Sequence, residues 1–100
     1  MTKLKLSEYL EKIAIANDAT LALSVTGKVG FGELLTSDGV SYVRFFFKAD
    51  GTFKNAYSDG MAWVKDTAST LNMYTEGSDI ILQNKTGAEI TVYHNLRRGV

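Results

Sequence analysis

His94 is the only histidine in the chain and cysteine is absent. Those two counts exclude thiolate nucleophiles, disulfides and metal centres built from clustered His or Cys ligands. Oxygen donors remain. Asp38, Asp50, Asp59 and Asp79 stand beside glycines or serines. A calcium loop would need acids at alternating positions, and residues 50–59 do not supply them. Aspartate at such places serves the backbone of a turn. A Ser-His-acid triad would need a positioned serine, and no Gly-x-Ser-x-Gly elbow occurs. His94 shares a face with Ile90 and Val92 and reads as a core or interface histidine. Gly27-Lys28-Val29-Gly30-Phe31-Gly32 matches neither the dinucleotide fingerprint nor the P-loop, and its glycines read as strand punctuation. Asn84-Lys85-Thr86 has the form of a glycosylation sequon and reads as a turn. A glycosidase pair of carboxylates is the remaining catalytic reading, and nothing marks two acids for it. The chain is expected not to be an enzyme, and no cofactor or metal is implied.

The aromatic residues carry more information. Tyr42, Phe46, Phe53, Tyr57, Trp63, Tyr74 and Tyr93 exceed what one small core needs, so some must face outward. An outward aromatic surface is covered by a partner chain or stacks on a planar ligand. Tyr42, Phe46 and Tyr93 are the candidates for self-association. Tyr57, Trp63 and Tyr74 are the candidates for stacking on a glycan, the alternative reading in which the chain is a carbohydrate-binding module.

The elements that would position these groups follow from periodicity. Leu6, Tyr9, Leu10 and Ile13 recur at helical spacing, and Ser7 and Glu8 suit a helix start. The spacing predicts one short helix, ended by Asn17-Asp18. From Thr20 the period becomes two. Leu21, Leu23 and Val25 alternate with small polar residues, and Val29 and Phe31 restart the pattern between glycines that mark a bulge or a close backbone approach. Val40 to Lys48 is a central strand with aromatics on both faces. Thr52 to Tyr57 follows, with Phe53 and Tyr57 expected on one face. Short strands are expected around Trp63, Leu71–Tyr74, Ile80–Leu82 and Ala88–Asn95. Seven or eight strands at this rhythm give a mainly β fold, an antiparallel β-sandwich or jelly-roll-like barrel with one N-terminal α-helix.

Eleven basic and eleven acidic residues cancel in a chain of 100. No basic excess marks a nucleic-acid partner, and Arg97-Arg98 is the only local one. No apolar run is long enough to cross a bilayer as a helix, and residues 1–9 do not form a secretory leader. No membrane partner is therefore expected.

Two passages carry a family likeness: Phe45-Phe46-Phe47-Lys48-Ala49-Asp50-Gly51-Thr52-Phe53, and Ile81-Leu82-Gln83-Asn84-Lys85-Thr86-Gly87-Ala88-Glu89-Ile90-Thr91-Val92. The layout resembles the small β-domains of bacteriophage virions, of the head-fibre, decoration and tail-fibre tip type. The second passage is similar to the closing hairpin of trimeric β-sandwich heads. The likeness spans Thr20 to Leu96. It implies a homotrimeric viral structural protein without catalytic residues, made in the host cytoplasm and located in the virion. Its partners would be other virion proteins, with a host-surface glycan as an additional one. In that reading residues 1–18 form a helical segment that attaches to a capsid or tail through Leu6, Tyr9, Leu10 and Ile13. Residues 19–100 form the β-domain.

Overall fold

The computed structural model describes residues 10–23 and 25–99. Its elements are β1 (Glu11–Ile15), β2 (Thr20–Leu23), β3 (Gly30–Thr36), β4 (Tyr42–Phe47), β5 (Phe53–Asp59), β6 (Met61–Ala62), β7 (Leu71–Glu76), β8 (Asp79–Asn84) and β9 (Ile90–Arg98). They form a five-stranded sheet in the order β1-β9-β3-β4-β5 and a four-stranded sheet in the order β2-β8-β7-β6. The mainly β class is as the alternation predicts. One pairing departs from it: β6 runs parallel to β7, through Met61↔Leu71 and Ala62↔Asn72. Residues 63–70 carry the chain back between those two strands.

The alternation on β4 decides the core. Val43, Phe45 and Phe47 point inward and are at most 2 % exposed. They join Leu34 and Val92 of the same sheet and Leu71, Met73, Ile80 and Leu82 of the other in one cluster. Inward and outward sets separate because successive strand side chains leave on opposite faces.

The helix expected at the N-terminus is not present among the described residues. Glu11–Ile15 is instead an edge strand, paired antiparallel with β9 from Glu11↔His94 to Ile15↔Ile90. A helix of about ten residues is marginal without docking. Here Ile13 and Ile15 also satisfy a period of two, and Ile15 gains full burial at 4 % exposure by joining the sheet. Ile13 packs against the core cluster and Leu10 is exposed, so neither stands on a helical docking face. Leu6 and Tyr9 lie outside the described residues.

The glycines of β3 are a close backbone approach. Gly30 lies between Phe47 and Arg98, and Gly32 between Phe45 and Leu96. A Cβ on Gly30 would come within 2.6 Å of Phe47 Cζ and 2.8 Å of Arg98 Cα, and closer still to the Arg97 carbonyl. Backbone cannot yield there as a flexible side chain can. Gly30→Ala is expected to cost about 2–3 kcal/mol through overpacking, read as a lowered urea midpoint with an unchanged slope.

Candidate functional site: an aromatic sheet face and an edge cleft

The outer face of the five-stranded sheet is built from alternate residues of β3, β4, β5 and β9. Phe31 and Phe46 are directly opposed across β3 and β4. They are 53 % and 50 % exposed. Lys54 pairs with Phe46, and Arg97 with Phe31. One row further, Glu33 lies between Arg44 and Asn95. In the next, Leu35 lies between Tyr42 and Tyr93. The three residues expected to self-associate, Tyr42, Phe46 and Tyr93, therefore occupy one face. Phe46 is its exposed member, and Tyr42 and Tyr93 are half-buried.

The centre of this face is held by polar contacts. The Tyr42 hydroxyl donates to Glu33 Oε2 at 2.7 Å. Arg44 Nη2 lies 3.5 Å from the same oxygen. The bond to the Glu33 carboxylate raises the Tyr42 phenol above its ordinary pKa, with burial adding to it. Both side chains of the Glu33–Arg44 pair are well exposed, so the pair contributes little to stability in isolation.

Tyr57 also belongs to this face, against expectation. Phe53 pairs with Phe47 and faces inward, but the register shifts between Arg44 and Phe45, so Arg44 pairs with Tyr57 while Phe45 pairs with Asn55. Ala56 is the extra residue of a β-bulge, which turns Tyr57 to the opposite face from Phe53. Tyr57 is 61 % exposed, and its ring lies 5.9 Å from that of Tyr42. The glycan-stacking trio is thereby divided. Trp63 and Tyr74 meet in a separate cleft, and Tyr57 does not reach it.

That cleft opens at the β5–β7 edge, where β6 stops after two residues. The strand expected around Trp63 ends before it. The cleft has a volume of about 550 Å³ and is lined by Phe53, Trp63, Lys65, Tyr74 and Glu76, with Thr52, Val64 and Thr75 completing it. The Trp63 ring rests 5.9 Å from Phe53, which meets Phe45 edge-on at 6.2 Å. Lys65 Nζ lies 3.4 Å from Glu76 Oε2 at the rim. The Glu76 charge raises the Lys65 pKa above its ordinary value. Burial raises that of Tyr74.

A buried polar network fixes the arm that bears Trp63 and Lys65. The Asp66 amide donates to Gln83 Oε1 at 2.8 Å, and Gln83 Nε2 donates back to Asp66 Oδ1 at 2.9 Å. Asn72 Nδ2 donates to Thr67 O at 2.9 Å and to Gln83 Oε1 at 3.0 Å. Asn72 and Gln83 are a cross-strand pair on β7 and β8. Residues 66 and 67 are thus fastened to the four-stranded sheet, and residues 63–65 project along its edge.

The aspartates act on turns. Asp38 Oδ1 accepts from Thr36 Oγ1 at 2.7 Å and from the Val40 amide at 3.0 Å. Asp50 Oδ1 accepts from Thr52 Oγ1 and the Thr52 amide. In each case the hydroxyl bond is the main reason the carboxyl pKa lies below its ordinary value. Among the described residues no three His, Asp or Glu side chains converge as metal ligands. His94 lines an apolar hollow of about 160 Å³ between the sheets, with Ile13, Leu21 and Val92.

Sequence reasoning missed Phe31, Lys65 and Glu76. Phe31 could have been found from its glycine-flanked alternation facing the Val40–Lys48 strand. Lys65 and Glu76 lie in separate elements, and only the path of residues 63–70 brings them together.

The chain matches no family model, no curated protein and no solved structure.

Proposed function

We propose that the chain is a non-catalytic viral structural subunit: a β-sandwich that self-associates through the outer face of its five-stranded sheet and attaches to other virion proteins. The observation that carries the reading is the opposed Phe31–Phe46 pair, each half-exposed, with Tyr57 beside it. Several large apolar side chains gathered on one sheet face mark an interface, whereas scattered ones do not. The occupant is a second copy of the chain. The face carries charges of both signs, with Glu33 against Arg44 at its centre, so a copy of itself supplies complementary partners. A formal net charge of zero also removes long-range repulsion between copies. The closed state proposed is the homotrimer implied by the phage resemblance. The location proposed is the virion, following synthesis in the host cytoplasm.

The test is mass in solution, by light scattering after size exclusion. The native chain is expected to stay trimeric across a hundredfold dilution. Phe46→Arg is expected to dissociate it to folded monomers, because Phe46 lies outside the core. A native monomer at every concentration, or a trimer unaffected by Phe46→Arg, would overturn the interface. The virion assignment predicts the chain among the proteins of purified particles, which mass spectrometry reads.

A further inference from the structure

We propose that the cleft at the β5–β7 edge is a binding site for a neutral saccharide ring. It lies apart from the aromatic sheet face, so the two can act in one subunit. Its volume of about 550 Å³ falls in the range of small-ligand sites. Its chemistry is divided as a pyranose is divided. The ring's C–H face needs a flat apolar platform, and its rim of hydroxyls needs donors and acceptors side by side.

Trp63 supplies the platform. It is 36 % exposed, and Phe53 supports it 5.9 Å away. Its position past the end of β6 follows from the anchoring of Asp66 to Gln83, so the indole is placed before any ligand arrives. Tyr74, a residue 9 % exposed, contributes a second ring. The rim is the Lys65–Glu76 pair, with both side chains more than half exposed. An ammonium donor and a carboxylate acceptor 3.4 Å apart match adjacent hydroxyls, each of which can accept from one group and donate to the other. Their charges cancel, which disfavours a phosphate or any other strongly charged ligand. The cleft's apolar surface is too open and too interrupted by these charges for a purely apolar ligand.

Trp63 is the single tryptophan, so its emission reports this cleft alone. The full chain is titrated with oligosaccharides ending in glucose, galactose, mannose or N-acetylhexosamine. A saturable shift in emission with at least one of them is expected. Glu76→Gln, which leaves a neutral amide at an exposed position, is expected to weaken that binding several-fold. Trp63→Ala, read on the same immobilised glycan, is expected to weaken it about tenfold or more. Both variants should keep a cooperative thermal transition and the oligomeric state of the native chain, with the midpoint lowered for Trp63→Ala by its lost packing on Phe53. No emission change across the panel would overturn the proposal. So would glycan binding that survives Trp63→Ala, or a shift produced only by peptides. Phe46→Arg should leave the titration intact, so failure of this site and failure of the self-association face are distinguishable.

Discussion

Deleting residues 1–18 is expected to unfold the domain, while deleting residues 1–9 keeps a cooperative transition. The longer deletion removes β1, and with it five residues of pairing to β9. It also removes the Ile15 side chain, 4 % exposed in the core, and exposes the inner face of β9 around Val92. Burial of one isoleucine is worth roughly 1.5–3 kcal/mol. A buried donor left without its acceptor costs about 1–3 kcal/mol more. Together with the lost ladder, these reach the low end of the roughly 5–15 kcal/mol that holds a domain folded. The shorter deletion leaves every one of these contacts in place. Urea unfolding followed by circular dichroism separates the outcomes. A deletion of 1–18 with a native midpoint would show that β1 is dispensable.

Asn84→Ala is expected to be the most damaging single substitution of a polar residue, at about 3–4 kcal/mol. Asn84 is fully buried. Its Nδ2 donates to the Ile15 carbonyl at 2.9 Å and to the Ala88 carbonyl at 2.8 Å. Its Oδ1 accepts from the Thr86 amide at 3.0 Å and the Thr86 hydroxyl at 2.7 Å. One side chain therefore joins the end of β1, in one sheet, to the connection between β8 and β9, which crosses from the other. Alanine leaves two carbonyls and an amide without these partners. Asn84→Asp keeps the acceptor and loses the donors, and its buried carboxyl has a folded pKa raised above the unfolded one. Its loss should then be smallest below the unfolded pKa and grow as pH rises through the folded one. The same urea measurement at several pH values reads both variants. A midpoint shift worth under 1 kcal/mol for Asn84→Ala would rule out the network's importance.

These two predictions touch the places where sequence reasoning was weakest. The strands were legible because a face turned to a core and a face turned away leave a period of two in Val43, Phe45 and Phe47 against Tyr42, Arg44 and Phe46. That alternation also placed Tyr42 and Phe46 correctly on one outer face. The helical reading fails from residue 11 on, because Ile13 belongs to a helical spacing and, with Ile15, equally to a strand of period two. Pairing with β9, some eighty positions later, decides between the two readings. Local propensity is worth only tenths of a kcal/mol per residue and yields to such pairing. The bulge at Ala56 has no sequence mark, yet it moves Tyr57 from one face to the other. Asn84 was legible as a turn residue, since Asn-Lys-Thr-Gly suits one. Its burial depends on β1 lying beside it, which no local pattern shows.

The place of β9 bears on how the chain is made. It is the last of the described strands, and it lies between β1 and β3. During synthesis at roughly 5–20 residues per second, β1 and β3 must wait for residues 90–98 before their shared neighbour exists. Until then each offers an open strand edge, the kind of surface that pairs with other chains. Assembly of the five-stranded sheet is thus a late step, slow for the domain's size because its decisive contacts are distant in sequence. A chain cut shortly before residue 90 would hold every strand of the four-stranded sheet and lack the one strand that joins β1 to β3.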